Sequence, residues 1–170
     1  PLINTITGIN VGSGNKEDNI VILDGDDWLA GDFVLDTLNE VYQDDILMTY
    51  GSYKSLSGLS DNFNKQLINT QTYRHSRLWH TTALRTFKRK LWDLIRDEDL
   101  KYEGKYASSA SDRAYMYPMI EMAGIKRIRY IDKILYIYND IHDKNFFRTV
   151  PELCDKEAEY FMNKEIYKEL

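Results

Sequence analysis

The sequence IVILDGDDWL, residues 20–29, contains four consecutive apolar residues that are followed at once by a cluster of aspartates. Such an apolar run ending in Asp-Gly is typical of a central strand, so residues 20–23 are predicted to form a buried strand. Asp24, Asp26 and Asp27 then lie at the carboxyl end of that strand. Ligands of open α/β sheets bind beyond the carboxyl ends of the strands, so this stretch indicates both the sheet and a site.

The aspartate cluster predicts a divalent metal, because carboxylates this close together repel one another unless a positive charge compensates them. Hard oxygen ligands suit Mg²⁺ or Mn²⁺. A solvated turn with helix-capping acids is the alternative reading. An EF-hand is excluded, because Trp28 and Leu29 occupy the fifth and sixth positions counted from Asp24, where that pattern needs an oxygen ligand and Gly. A P-loop and a glycine-rich dinucleotide fingerprint are also absent from the sequence.

The composition narrows the class of protein. A length of 170 residues with 43% hydrophobic residues predicts a single domain, residues 1–170, with a substantial core. A net charge of −5 argues against a nucleic-acid partner. The single cysteine, Cys154, excludes an internal disulfide and favours a reducing compartment. We therefore expect a cytoplasmic protein, with peripheral association with a membrane left open. The sequence shows no signal peptide and no transmembrane segment, which would need about 20 apolar residues.

The remaining pattern alternates helices with strands, which predicts the α/β class. The residues expected to be helical are the end of a helix in 1–15, a helix at 32–42 capped by Asp32, an amphipathic basic segment at 87–95, a helix at 110–123 that stops at Gly124, and a C-terminal helix within 149–170 that starts at a capping box. Pro118 is expected to kink or break its helix. Residues 45–55 and 127–139 each predict two short strands, and residues 57–76 predict a long surface loop.

Four segments, in this order, resemble the family-2 glycosyltransferases, which have the GT-A fold. They are IVILDGDDWL, with its DxD motif, LRTFKRKLWDLI at 84–95, DRAYMYPMIEMAG at 112–124 and KILYIYND at 133–140. The resemblance covers most of residues 1–145. It implies an α/β fold with a GT-A-like mixed sheet flanked by helices.

The resemblance also implies a reaction. A metal-dependent, inverting enzyme of this family moves a sugar from a nucleotide-diphosphate donor, here expected to be a UDP-sugar, to a hydroxyl of a saccharide or another hydroxylated acceptor. Such a transfer needs a base for the acceptor hydroxyl and neutralisation of the charge on the leaving diphosphate. Mn²⁺ or Mg²⁺ would supply the second as a Lewis acid.

Specific residues can be carried over from the family's motifs. Asp24 matches the first acid, which faces the nucleotide ribose or the metal, and Asp26 matches the acid that binds the metal. Asp27 matches the adjacent acid, which supports the site or touches the donor sugar. Trp28 is expected either to wall the donor sugar or to belong to the core. His142 matches a histidine that completes the metal shell in some members, although a lone loop histidine is more often simply exposed.

Asp112 matches the family's catalytic base. The family often has two acids in a row at this place, and here Ser111 precedes Asp112. Asp112 could instead be a helix-start residue, where the helix N-terminus would stabilise its charge.

Further side chains are candidates for contacts with the acceptor or with a phosphate. They are His75, Arg77, Trp79, His80 and Arg85. For Arg85 and the basic residues 88–90, a solvated basic helix face is the alternative.

The resemblance also exposes a difference from the family. Two or three βα units that hold the nucleotide, of roughly 30 residues each, precede the DxD strand in the family, whereas here about 18 residues precede it. We therefore expect these residues to lack the N-terminal nucleotide-binding βα units. The units would lie elsewhere on a longer chain, would have been removed, or would be replaced by a nucleotide site from another source. A lone half would expose sheet edges and favour pairing with a second chain, including as a homo-oligomer.

Two other functions compete with transfer. A non-catalytic GT-A-like binding or structural module would retain the metal cluster without transferring a sugar. A metal-dependent phosphohydrolase is weaker, because no Thr, Ser and Lys set accompanies Asp24.

Overall fold

A five-stranded mixed sheet forms the centre of the structure, a computed structural model that describes residues 2–12, 14–58, 73–75, 79, 81–141 and 151–170. The strands in chain order are β1 (Asn19–Ile22), β2 (Trp28–Leu29), β3 (Met48–Ser55), β4 (Arg85–Lys88), β5 (Lys101–Tyr102), β6 (Lys105–Tyr106) and β7 (Ile128–Tyr138). The helices are α1 (Leu2–Val11), α2 (Phe33–Val41), α3 (Arg89–Trp92), α4 (Ser111–Ala123) and α5 (Pro151–Met162).

The order of the large sheet is β1-β4-β3-β7-β2, and β5 and β6 form a separate hairpin. β3 and β7 are parallel, whereas the other neighbours in the large sheet are antiparallel. Helices pack on this sheet through two clusters of buried side chains, one with residues from α1, α3, α4 and α5 and one with residues from α2. The predicted α/β class, with a mixed sheet flanked by helices, is confirmed.

The strand that leads into the aspartates lies at the edge of the sheet and not in its centre. β1 pairs with β4 on one side, and no described strand pairs with its other side. Its apolar residues are therefore only half-buried, and Leu23 is 45% exposed. The prediction of a buried central strand at 20–23 is wrong, because an apolar run does not reveal how many neighbours the strand will have. The central, buried strand is β3.

Two predicted pairs of short strands are each one continuous strand. Residues 48–55 form β3 without a turn at Gly51, and residues 128–138 form β7. The two strands pair along most of their length, with a shift of register between Gly51 and Tyr53. A Cβ at Gly51 would lie 3.1 Å from the carbonyl oxygen of Ile131. The glycine therefore permits close approach of the two strands where the register shifts.

The predicted helices are present with corrected details. α2 lies within residues 32–42, but the Asp32 side chain makes no capping hydrogen bond. The expected helix at 87–95 is reduced to α3, because Phe87 belongs to β4, which is paired on both sides.

The helix that carries Asp112 also matches its prediction. α4 ends at Gly124, whose φ is +69°, and it continues through Pro118 without a break. α5, Pro151–Met162, lies within the expected range 149–170. Residues 149 and 150 of the capping box, and most of the loop expected at 57–76, lie outside the described residues.

Asp99 fastens the last residues of the chain to the rest of the domain. Its buried carboxylate accepts hydrogen bonds from Arg96 Nε at 2.7 Å, Lys164 Nζ at 2.8 Å and the Tyr167 hydroxyl at 2.6 Å. Burial alone would raise the pKa of Asp99, but these three donors outweigh it and the pKa is lowered. The carboxylate therefore stabilises the folded state in its ionised form.

Replacing Asp99 by Asn is expected to lower the free energy of unfolding by about 2 kcal/mol at neutral pH, because charged hydrogen bonds are lost. Because the pKa of Asp99 is lower in the folded state than in the unfolded state, its carboxylate stabilises the folded protein fully above the unfolded-state pKa, near 3.8. This stabilisation disappears as the pH falls through the folded-state pKa. The difference between wild type and Asp99→Asn should therefore shrink below about pH 4 in urea unfolding. Asp45→Asn, at an exposed position, is the control. A pH-independent difference would contradict this account.

Candidate active site

The aspartate cluster forms a turn that connects the two outermost strands of the sheet. β1 and β2 lie at opposite ends of the strand order, and residues 23–27 join them. Asp27 N donates to Asp24 O at 3.1 Å and closes the turn. The acids therefore lie across one end of the sheet.

The hydroxyl of Tyr136, on β7, holds this turn in place. It accepts a hydrogen bond from Asp24 N at 3.3 Å and donates to Asp27 Oδ2 at 2.5 Å. Asp24 Oδ2 lies 3.4 Å from the same hydroxyl. The backbone N–H of Asn139 donates to the other carboxylate oxygen of Asp27, at 2.7 Å. Both oxygens of Asp27 are thus used within the protein.

The three acids consequently differ in what they can do. Asp27 is buried, and burial raises its pKa although Tyr136 and Asn139 oppose the shift. Asp24 and Asp26 are exposed. The geometry assigns Asp27 to the support of the turn and leaves the carboxylates of Asp24 and Asp26 accessible to a ligand.

Trp28 does not belong to the core, and its expected role as a wall of the donor sugar stays a prediction. It lies in β2 opposite Ile137 and is 49% exposed, so it does not belong to the core. It is also not among the residues that line the two cavities beside Asp24.

Asp112 lies in the first turn of α4 and is held by two donors. Arg113 N donates to Asp112 Oδ1 at 2.9 Å, and Arg85 Nη1 donates to Asp112 Oδ2 at 2.9 Å. The N-cap residue is Ala110, so Asp112 is not the cap of its helix. The guanidinium of Arg85 is 13% exposed and is not on a solvated basic face. Burial would lower the pKa of Arg85, but neighbours that include Tyr115, Asp112 and Asp24 raise it, and Arg85 remains charged.

One cavity of about 430 Å³ brings together Asp24 and Asp112, which are far apart in the sequence. Its volume is within the range of small-molecule sites. Arg85, Arg113 and Trp79 line the same cavity. The guanidinium of Arg113 lies 4.8 Å from the ring centroid of Trp79. The cavity therefore combines carboxylates, guanidinium groups and an aromatic face.

A second cavity, of about 480 Å³, lies between α1 and β1. It is lined by residues of β1, which pairs with no described strand on this side, and by Asp24 and Gly25. Thr5, Ile22 and Asp24 line both cavities. Asp24 therefore lies at the junction of two spaces, one beside the sheet edge and one beside Asp112.

A carboxylate from the C-terminal helix organises the backbone just before α4. Glu157, on α5, is 2% exposed and accepts hydrogen bonds from the backbone N–H groups of Ser108, Ser109 and Ala110 at 2.8–3.1 Å. The Ser108 hydroxyl donates to it at 2.9 Å. Successive backbone N–H groups form an anion-binding concavity. Glu157 thereby fixes the turn that precedes α4 and Asp112.

Several of these side chains give no signal in the sequence. Tyr136 and Glu157 act through contacts between distant segments, and Arg113, Tyr115 and Tyr138 join the site only because α4 and β7 meet at the cavity. The order of motifs along the chain could have indicated 112–124 and 133–140 as site segments, but not which side chains they contribute.

The histidine predictions gain no test from the structure. His142 and His80, and also Arg77, lie outside the described residues, and His75 is exposed. Within the described part of the chain, no three His, Cys, Asp or Glu side chains form a group that could hold a metal ion. The metal set of Asp24, Asp26 and His142 therefore stays a prediction.

Comparisons with known proteins give no family assignment. The chain matches no protein-family model, and a search of curated proteins finds no significant match. Among the described helices, none has the length and apolar character needed to cross a membrane.

Replacing Glu157 by Ala is expected to lower the free energy of unfolding by about 3 kcal/mol, because it leaves several buried N–H groups without an acceptor. The amides of Ser108, Ser109 and Ala110 should also exchange hydrogen faster than in the wild type. Thermal unfolding and hydrogen exchange measured by mass spectrometry would check this. Glu159→Ala, at an exposed position of the same helix, should change stability by less than about 0.5 kcal/mol. Equal losses in both variants would contradict the role of Glu157.

Proposed function

We propose that this chain is the metal-binding and acceptor-side part of a family-2 glycosyltransferase with a GT-A-like fold. One observation carries the proposal: the first acid of the DxD turn, Asp24, and the expected base, Asp112, line the same cavity. The order of the four resembling segments supports it. The proposed reaction is the inverting transfer of a sugar from a UDP-sugar to an acceptor hydroxyl.

The donor atoms of the turn fit a metal that is shared with the substrate. Asp24 and Asp26 present exposed carboxylates, while Asp27 is engaged with Tyr136 and Asn139. Mg²⁺ is commonly bound by one or two carboxylates together with substrate phosphates and not by a complete protein cage. Asp24 and Asp26 would hold Mn²⁺ or Mg²⁺, and His142 is the proposed third ligand. When bound, the metal supplies charge neutralisation for the leaving diphosphate.

The chain's own residues provide the rest of the chemistry. Asp112 receives the proton of the acceptor hydroxyl, whose oxygen then forms a bond to the anomeric carbon. The bond between that carbon and the phosphate oxygen breaks, and the electron pair leaves with the nucleoside diphosphate. Trp79 offers an aromatic face to a sugar, and Arg113 fixes the orientation of that ring.

The open side of β1 is the proposed point of attachment for nucleotide-binding units. A further strand can pair there without disturbing β4, and it would come next to Asp24. A donor held by such units would reach Asp24 and Asp26 from this side.

A non-catalytic module is the second candidate, and the ion pair between Arg85 and Asp112 favours it. Both oxygens of Asp112 accept hydrogen bonds from the protein, so part of the accepting capacity of the carboxylate is used within the fold. A protein of this kind would bind the metal without releasing UDP from a UDP-sugar.

The test is release of UDP from UDP-glucose, UDP-galactose and UDP-N-acetylglucosamine in the presence of Mn²⁺, measured on the complete protein that contains residues 1–170. Asp26→Ala should abolish release because it removes a metal ligand. Asp112→Asn should reduce it by roughly 10²–10⁴-fold because it removes the base. Asp32→Asn, which removes an exposed acid beside the turn, is the matched control and should retain activity.

Three outcomes would decide against transfer. Mn²⁺ binding without UDP release would support the non-catalytic module. Phosphate release from p-nitrophenyl phosphate, with no use of UDP-sugars, would support a phosphohydrolase. Release that is unchanged in Asp26→Ala would show that the DxD turn is not the metal site.

A further inference from the structure

Arg85 has hydrogen-bonding capacity that its contacts within the protein do not use. It lies on β4 and lines the cavity beside Asp24 and Asp112. Its Nη1 donates to Asp112, whereas its Nε is buried and has no hydrogen-bond partner among the described residues. Guanidinium carries five N–H donors in a planar fork, which suits a ligand with two adjacent oxygens.

The charges around the cavity show why Arg85 and Asp112 are paired. The charged lining residues in the described part of the chain are Asp24, Asp112, Arg85 and Arg113, two acids and two bases. Arg113 Nη1 donates to the Tyr117 hydroxyl at 2.7 Å and its guanidinium stacks on Trp79, whereas Nε of Arg85 is buried without a hydrogen-bond partner among the described residues. Arg85 is therefore the arginine whose hydrogen-bond partner can change.

The pairing also occupies Asp112. Arg85 takes Oδ2, and the backbone N–H of Arg113 takes Oδ1. Each oxygen keeps a second lone pair, so a hydroxyl group that approaches Oδ2 as a proton donor shares that oxygen with Arg85. The backbone contact is fixed by the helix, so the contact with Arg85 is the one that can be given up.

We infer that Arg85 is a ligand for a phosphate group and that phosphate binding releases Asp112. The phosphate oxygens take the N–H groups of Arg85, and Oδ2 of Asp112 then has both of its lone pairs for other donors, such as the acceptor hydroxyl. The choice of phosphate as the anion rests on the proposed function, since the donor carries a diphosphate. The exchange of partners couples arrival of the donor to the availability of the base.

The test measures the affinity of inorganic pyrophosphate for the metal-free protein in EDTA by isothermal titration calorimetry. Wild type should bind, and Arg85→Gln should bind about tenfold more weakly or worse, because a charged bidentate contact is lost. Arg129→Gln is the matched control, because it removes the same charge from a half-exposed arginine on β7. Equal affinity of wild type and Arg85→Gln would overturn the inference.

A second measurement tests for tighter pyrophosphate binding, which a misfolded variant could not show. Asp112→Asn should bind pyrophosphate more tightly than wild type, because Arg85 no longer has a competing carboxylate. In the Arg85→Gln background the same substitution should have no effect. If Asp112→Asn instead strengthens binding by the same factor in both backgrounds, simple repulsion of the anion explains the gain and the exchange is wrong.

The two proposals fail in different ways. Pyrophosphate affinity that follows the expected pattern, without release of UDP from any UDP-sugar, would support the phosphate site and contradict the transferase proposal. UDP release that depends on Asp26 and Asp112, with pyrophosphate affinity unchanged by Arg85→Gln, keeps the transferase and removes the phosphate role of Arg85.

Discussion

The hydroxyl of Tyr136 joins the sheet to the acidic turn, and the arrangement of the site depends on it. This hydroxyl accepts a hydrogen bond from the backbone N–H of Asp24 and donates one to the carboxylate of Asp27. The turn has to cross from β1 to β2, the two edges of the sheet, while its acids repel one another. Burying one carboxylate against a hydroxyl and a backbone N–H separates it from the other two, which remain exposed. Burial and the nearby Asp24 and Asp27 raise the pKa of Tyr136, so its proton stays available for this contact.

A comparable division of labour exists on the other side of the cavity. Glu157 neutralises the backbone dipoles before α4, and Asp112 meets Arg85 and one backbone N–H. Most carboxylates near the cavity are thus satisfied by the protein itself. Asp24 and Asp26 are the exceptions among the acids of the turn, and this contrast is the strongest physical reason to expect a ligand there.

Local patterns predicted the parts of this fold that are decided locally. The helix that carries Asp112, its end at Gly124 and the strand before Asp24 follow from apolar spacing and from a glycine with positive φ. The position of β1 at an edge could not be predicted, because strand neighbours are chosen by segments far away in the chain. For the same reason the continuous strands β3 and β7 looked like two pairs of short strands.

The candidate site shows the same limit. The DxD motif and Asp112 were recognisable as residues, but their shared cavity depends on β4 and α4 lying side by side. The sequence indicated Arg85 as a candidate for contact with the acceptor or a phosphate, or as part of a solvated basic helix face. Its pairing with Asp112 is a tertiary contact that no local pattern reveals. Glu157 carries no local signal, since an acid on a surface-like helix and an acid that fills a backbone concavity have the same sequence pattern.

The side of β1 that pairs with no described strand has a consequence for how such a protein could diversify. A sheet edge recognises the backbone of an incoming strand, and backbone groups are the same in every sequence. Different partner segments can therefore be recombined at β1, provided that their register and side-chain pattern suit the neighbouring groove. Under the proposed function, exchange of that segment would alter the choice of nucleotide while Asp24 and Asp112 stay as they are. Under that function, donor preference could change during evolution without any change in Asp24 or Asp112.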